Sequence, residues 1–187
     1  MTKQTTPIIG VMNISSAGRI EMKATETPAS VPSRAARGVR LRITGAMKPP
    51  TTELGRVRGT DYFADRIRHP ENESAPGVFI FRCSGALLYF NVENVRDRFF
   101  ELLANRKDDV KLAVFFMGSV PMTDLAGVEF LTELHESLRE RGIELRLAEA
   151  HGRVREALRR GGFEEHYGPV EADQTVATVL RKSGTTP

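Results

Sequence analysis

A nearly unbroken apolar run, followed by a turn and an amphipathic helix, dominates the pattern of residues 110–142. The run occupies 110–117 and is typical of a strand that is covered on both faces of a parallel sheet. Small and polar residues then form a turn over 118–124, in which Thr123 or Asp124 suits the N-cap of a helix. From Leu125 apolar residues recur at helical spacing, and Gly142 is placed to end that helix. The pattern therefore predicts a buried central strand, a turn and a helix, in that order.

Shorter patterns on either side predict the remaining elements. The strand-like segments are 54–58, 78–83, 86–90, 143–147 and a short one at 167–170. We expect 54–58 to be an edge strand, and 86–90 to pair with the strand before it across a tight turn at Ser84 and Gly85. The helix-like segments are 91–105, with Asn91 as N-cap, 125–141, 151–160 and 171–182. This alternation predicts an α/β domain with a mixed β-sheet and about four helices.

The first 52 residues differ from the rest in composition. They are rich in Thr, Ser, Pro, Ala and Arg, and cannot bury enough apolar surface to offset an ordering cost of about 1 to 2 kcal/mol per residue. We therefore expect a disordered tail over 1–52 and one folded domain over 53–183. The tail contains a basic stretch formed by Arg34, Arg37, Arg40 and Arg42. It is interpreted as a solvated linker, with contact to an anionic membrane surface as the alternative.

Overall composition narrows the class of protein. The 187 residues carry a net charge of only +3, from 27 basic and 24 acidic side chains, and no aromatic residue lies in the basic stretch for stacking on bases, so no nucleic acid is expected as a partner. The single cysteine, Cys83, excludes an intramolecular disulfide. No segment approaches the roughly 18 to 20 consecutive apolar residues that cross a bilayer. These features predict a soluble cytoplasmic protein.

Patterns for catalysis or metal binding are missing from the sequence. The histidines lie in different predicted elements, without metal-ligand spacing to one another or to the cysteine: His69, His135, His151 and His166. Neither a phosphate-binding loop nor a nucleophile elbow is present. We therefore expect no enzyme activity, no metal and no cofactor.

The turn between the central strand and its helix is the candidate functional site. Open α/β sheets place their sites at the carboxyl ends of strands, and the first amides of a helix favour an anion or a carboxylate. Asp124 would compete for these amides, which favours a capping or protein-docking role over a bound small anion. Gly127 is interpreted as a helix-packing glycine or as a point of close approach by another chain. The candidate residues are Ser119, Met122, Thr123, Asp124, Ala126 and Gly127.

The sequence of this turn, from Ser119 to Gly127, resembles the STAS domain. That domain occurs in anti-sigma-factor antagonists and as the cytoplasmic C-terminal module of SulP-type anion transporters. The blocks that precede the turn follow one another as they do after the last membrane span of bacterial SulP proteins: 54–61, 68–73, 76–82 and 87–92. The resemblance covers about residues 53–182 and implies a STAS-like, anti-sigma-factor-antagonist-like fold.

The resemblance also implies a function. The transporter branch implies a non-catalytic regulatory module for sulfate or anion transport, placed at the inner face of the membrane, whose partner is a transporter's membrane domain. Because no membrane-spanning segment precedes the module here, we do not expect this chain to carry transport alone. The alternative is a free-standing anti-sigma-antagonist-like regulator that binds a kinase.

In phosphorylated family members, Ser or Thr precedes the glycine that matches Gly127. Ala126 stands there and has no hydroxyl to accept a phosphate.

Overall fold

The computed structural model describes residues 45–184, whose centre is a five-stranded mixed sheet. The strands are β1 (Thr51–Arg56), β2 (Phe63–Asp65), β3 (Val78–Cys83), β4 (Leu112–Phe116) and β5 (Glu144–Ala148). Their order across the sheet is β2-β1-β3-β4-β5. β1 is antiparallel to β2 and β3, whereas β3, β4 and β5 are parallel to one another. The predicted mixed sheet is confirmed, and the central apolar run forms β4, between two parallel neighbours.

Five helices pack on this sheet within residues 51–184. They are α1 (Val92–Ala104), α2 (Leu125–Glu140), α3 (Gly152–Arg160), α4 (Phe163–Tyr167) and α5 (Val176–Lys182). The predicted helix after the turn is α2, with Asp124 as its N-cap. Gly142, at φ +71°, follows its C-terminus in the left-handed conformation that glycine adopts most easily. About four helices were predicted, and the additional one is the short α4.

Strand β4 is buried on both faces because alternate side chains of a strand point in opposite directions. Ala113 and Phe115 belong to the larger core, which includes residues of α1, α2 and α3. Leu112 and Val114 belong to a smaller core on the opposite face, where Leu180 of α5 covers them. The prediction of a strand covered on both faces is therefore confirmed.

Two strand predictions in the first half of the domain were wrong. Segment 54–58 was expected at the edge, but β1 lies inside the sheet because β2 pairs along its outer side. Segment 86–90 forms no strand: apart from a single bridge between Leu87 and Thr123, it turns directly into α1. The turn closes because Oδ1 of Asn91 accepts the N–H of Leu88 at 3.0 Å. Asn91 is the N-cap residue of α1 by position, but its side chain makes no capping bond to the helix.

The C-terminal part also differs from its predicted pattern. The short strand expected at 167–170 is absent, and Tyr167 instead ends α4. The hydroxyl of Tyr167 accepts the N–H of Leu147 at 2.8 Å, so a side chain rather than a strand occupies this position at the β5 edge. The predicted helix at 171–182 begins only at Val176. The basic stretch Arg34 to Arg42 and residues 1–44 of the predicted tail lie outside the described residues, and β1 begins at Thr51, within the predicted tail.

Candidate functional site

The carboxyl ends of the three parallel strands bring three loops together. The turn over 117–124 follows β4 and lies between the loop after β3 and the loop after β5. From the first side, the N–H of Gly85 donates to the Ser119 carbonyl at 3.1 Å. From the second side, Nε2 of His151 lies 3.0 Å from the Gly118 carbonyl oxygen. The turn is therefore held from both neighbouring loops.

Asp124 joins this turn to the helix that follows and to the loop after β3. Its Oδ1 accepts the N–H of Gly127 at 3.0 Å, which is the capping bond of α2. Its Oδ2 accepts the N–H of Tyr89 at 2.9 Å, and its own N–H donates to the Leu87 carbonyl at 3.2 Å. Both carboxylate oxygens thus bind backbone donors within the chain. The capping role predicted for Asp124 is confirmed.

Gly127 is a packing glycine. A Cβ atom at this position would lie 2.7 Å from the Leu87 carbonyl oxygen, and closer still to Oγ1 of Thr123. The first turn of α2 therefore approaches the loop after β3 as closely as a residue without a side chain allows. Of the two interpretations of Gly127, the structure supports packing within the chain.

Three large apolar side chains are exposed around this turn. Tyr89 is 75% exposed, Met122 is 46% exposed and Leu125 is 63% exposed. The backbones that carry them are connected directly, because Asp124 bonds the amide of Tyr89 and lies between Met122 and Leu125 in sequence. We refer to Tyr89, Met122 and Leu125 as the apolar rim.

The predicted candidates differ in exposure although all lie in the turn or the first turn of α2. Met122 is exposed. Ser119, Asp124 and Ala126 are half-buried, whereas Thr123 and Gly127 are buried. Sequence reasoning missed the other two residues of the apolar rim. It placed Tyr89 in a strand, and it treated Leu125 as the start of the apolar helical pattern that continues at Val128. The turn-forming position of Asn91 is the signal that could have exposed Tyr89.

Reactive groups are scarce near the turn. Burial raises the pKa of the Cys83 thiol to about 12, so this cysteine stays protonated and unreactive. Within residues 45–184, no three His, Cys, Asp or Glu side chains are grouped to hold a metal ion. In the same residues no helix combines the length and the apolar character that crossing a membrane requires.

Comparison with known proteins identifies relatives of this domain. The model of the family described as "STAS domain" matches residues 69–179, more than half of the chain. Sulfate transporter 2.1 of Arabidopsis thaliana is 32% identical over 134 residues, which are 66% of this chain and 20% of the transporter. Low affinity sulfate transporter 3 of Stylosanthes hamata is 28% identical over 145 residues, which are 72% of this chain and 22% of that protein. The chain thus spans about a fifth of the length of these relatives.

A solved structure shows the same fold. The murine Solute Carrier 26 family member A9 anion transporter, in its inward-facing state, superposes with a TM-score of 0.70 at 19% sequence identity. The matched region covers 80% of this chain and 25% of the transporter. The mixed sheet and its helices are therefore those of a domain that also occurs inside a longer transporter chain.

Proposed function

Because this chain belongs to the STAS domain family, we propose that it is a non-catalytic interaction module that docks a protein partner at the turn around residues 118–127. The observation that carries the proposal is the apolar rim, Tyr89, Met122 and Leu125, exposed on backbone that Asp124 holds in place. Exposed apolar side chains that are grouped around one turn are typical of protein interaction sites. A surface that is formed before binding loses little conformational entropy when the partner arrives.

We propose that the partner is the membrane domain of a sulfate or related anion transporter. The named relatives are sulfate transporters, of which this chain spans about a fifth, and this likeness supports a transporter's membrane domain as the partner. The module would then work at the cytoplasmic face of the membrane. The alternative, a free-standing regulator that binds a kinase, lacks the usual phosphoacceptor because Ala126 has no hydroxyl.

Capture of partners from cell extracts tests this proposal. The tagged chain is incubated separately with detergent-solubilised membranes and with the soluble fraction of the source cells, and captured proteins are identified by mass spectrometry. We expect a multi-span membrane protein to be recovered with the unmodified chain. Leu125→Asp should abolish its recovery, because it places a charge in the centre of the apolar contact.

Ile67→Asp is the matched control for this substitution. Ile67 is 66% exposed, close to the 63% of Leu125, but it lies beyond β2 at the far edge of the sheet. Its replacement should leave recovery unchanged. Equal recovery with Leu125→Asp would remove the turn from the docking site, and recovery of a soluble kinase instead of a membrane protein would favour the free-standing regulator.

A further inference from the structure

A groove lies beside the apolar rim, between the first turn of α2 and the last turn of α3. Its lining includes the exposed Leu125, the half-buried Ala157, the buried Val128 and the exposed Arg160. We refer to these four residues as the α2–α3 groove. Leu125 is shared with the apolar rim, so the groove extends the same exposed surface toward α3.

Close helix packing gives this groove a fixed shape. Gly161 ends α3, and a Cβ atom there would lie 2.7 Å from Cγ1 of Val128. The end of α3 therefore rests directly on α2, without space for the two helices to approach further. On the other side, the capping bond from Gly127 to Asp124 fixes the first turn of α2. A partner would meet a preformed groove at this position.

The charge on the α3 side is positive and only partly neutralised. The nine residues of α3 include four arginines and one glutamate. Arg159 pairs with Glu164 at 3.0 Å. Arg160, in contrast, has no carboxylate within salt-bridge distance among residues 45–184, and its Nε donates only a long bond of 3.4 Å to the Glu156 carbonyl. A guanidinium group with unused donors thus faces the groove.

The acidic residue at the groove does not neutralise Arg160. The carboxylate of Asp124 already accepts two backbone N–H groups, from Gly127 and Tyr89. These bonds hold the carboxylate against the backbone, and it forms no salt bridge with Arg160 in the described part of the chain. The groove lining therefore combines apolar side chains, among them the exposed Leu125, with an arginine that has no carboxylate partner among the described residues.

We propose that the α2–α3 groove binds an acidic segment of the protein partner, in which a carboxylate lies close in sequence to a large apolar side chain. The carboxylate would accept N–H bonds from the guanidinium of Arg160, and the apolar side chain would cover Val128, Ala157 and Leu125. The inference rests on the proposed function, since it specifies the chemistry of the partner that docks at this turn. Charge complementarity selects the acidic occupant, because a basic segment would be repelled by α3.

Selection from a library of random dodecamer peptides tests this inference. The library is panned against the immobilised chain, and enriched peptides are sequenced and measured by fluorescence anisotropy. We expect enriched peptides to contain Asp or Glu within two residues of Leu, Met, Phe or Tyr. Arg160→Glu should weaken their binding about five- to tenfold, and higher salt should weaken binding to the unmodified chain. Arg159→Glu is the matched control, and its effect should stay within about twofold because Arg159 already pairs with Glu164.

The outcomes separate this inference from the proposed function. If Leu125→Asp abolishes binding but Arg160→Glu does not, the turn remains a docking site and the acidic occupant is wrong. If neither substitution changes binding, or if no peptide is enriched, the groove is not a docking site and the inference is overturned. Enrichment of peptides without acidic residues also overturns it. The inference is also overturned if the unmodified chain binds phosphatidylglycerol vesicles and Arg160→Glu does not, since the groove would then face a membrane.

Discussion

A hydrogen bond of 2.9 Å from the backbone N–H of Tyr89 to Oδ2 of Asp124 joins the loop after β3 to the N-terminus of α2. The other carboxylate oxygen caps α2 through Gly127. One side chain therefore fixes both the start of a helix and the backbone that carries the exposed ring of Tyr89, 35 residues earlier in the chain. Changes at Asp124 should affect stability and docking together.

Replacing Asp124 by Ala should lower the free energy of unfolding by about 2 kcal/mol, because a helix cap and a second hydrogen bond are lost together. Urea denaturation followed by circular dichroism measures this change. Partner affinity should fall as well, since the backbone that carries Tyr89 would lose its bond to Asp124.

Thr175→Ala is the control for this prediction. The side chain of Thr175 caps α5 by accepting the N–H of Thr178 at 3.1 Å. Its loss should cost about 1 kcal/mol and leave partner binding unchanged. Equal partner affinity in Asp124→Ala and the unmodified chain would show that the position of Tyr89 does not matter for docking.

Gly127→Ala tests the close approach of α2 to the loop after β3. The added methyl group would lie 2.7 Å from the Leu87 carbonyl oxygen, which is backbone and cannot rotate away. We expect a loss of about 2 to 3 kcal/mol in the free energy of unfolding. Gly152→Ala is the matched control in a helix, because the nearest atom to its new methyl group is 3.8 Å away. That variant should be as stable as the unmodified chain, or more stable by up to about 1 kcal/mol; similar stability of the two variants would contradict the packing role of Gly127.

Replacing Leu131 by Asp should prevent folding. Leu131 is fully buried in the larger core, and the substitution would place an unpaired charge there. Leu131→Met conserves volume and should cost less than about 1.5 kcal/mol. Thermal unfolding distinguishes the two variants. A folded Leu131→Asp protein with an unchanged melting temperature would mean that the inner face of α2 is assigned wrongly.

Sequence reasoning was right at Leu131, where packing against the core decides the structure, and wrong at Tyr89, where a local side-chain hydrogen bond decides it. Helical spacing identified the inner face of α2 because the core fills that whole face, and the apolar run identified β4 because both of its faces are covered. Segment 86–90 has a strand-like composition, but the Asn91 side chain closes it into a turn, and this local bond outweighs β propensity. Leu125 is the first residue of α2, and it is 63% exposed although Gly127 and Val128 in the same turn are buried.

The docking surface could be predicted only in part, for a similar reason. The turn and its cap follow from residues that are close in sequence, so Asp124 and Gly127 were identified. Arg160 reaches the groove only because the last turn of α3 packs on the first turn of α2, through the contact of Gly161 with Val128. A single sequence contains no local signal for such a contact between distant segments.

The last prediction concerns acid stability and the ion pair at the other end of the sheet. The buried guanidinium of Arg106 donates to both oxygens of Asp108, at 2.7 and 2.6 Å, and holds the pKa of that carboxyl well below its ordinary value of 3.8. Because the pKa of Asp108 is lower in the folded than in the unfolded chain, its carboxylate stabilises the fold at pH values above the unfolded-state pKa. This stabilisation is lost progressively as the pH falls below about 4. Asp108→Asn should therefore be less stable at neutral pH, and should lose less further stability on acidification than the unmodified chain. Asp109→Asn is the control, because it removes only an exposed pair with Lys111. It should change neither the stability at neutral pH nor the loss of stability on acidification. An identical pH dependence of stability in all three proteins would exclude the Asp108 ion pair as a source of acid sensitivity.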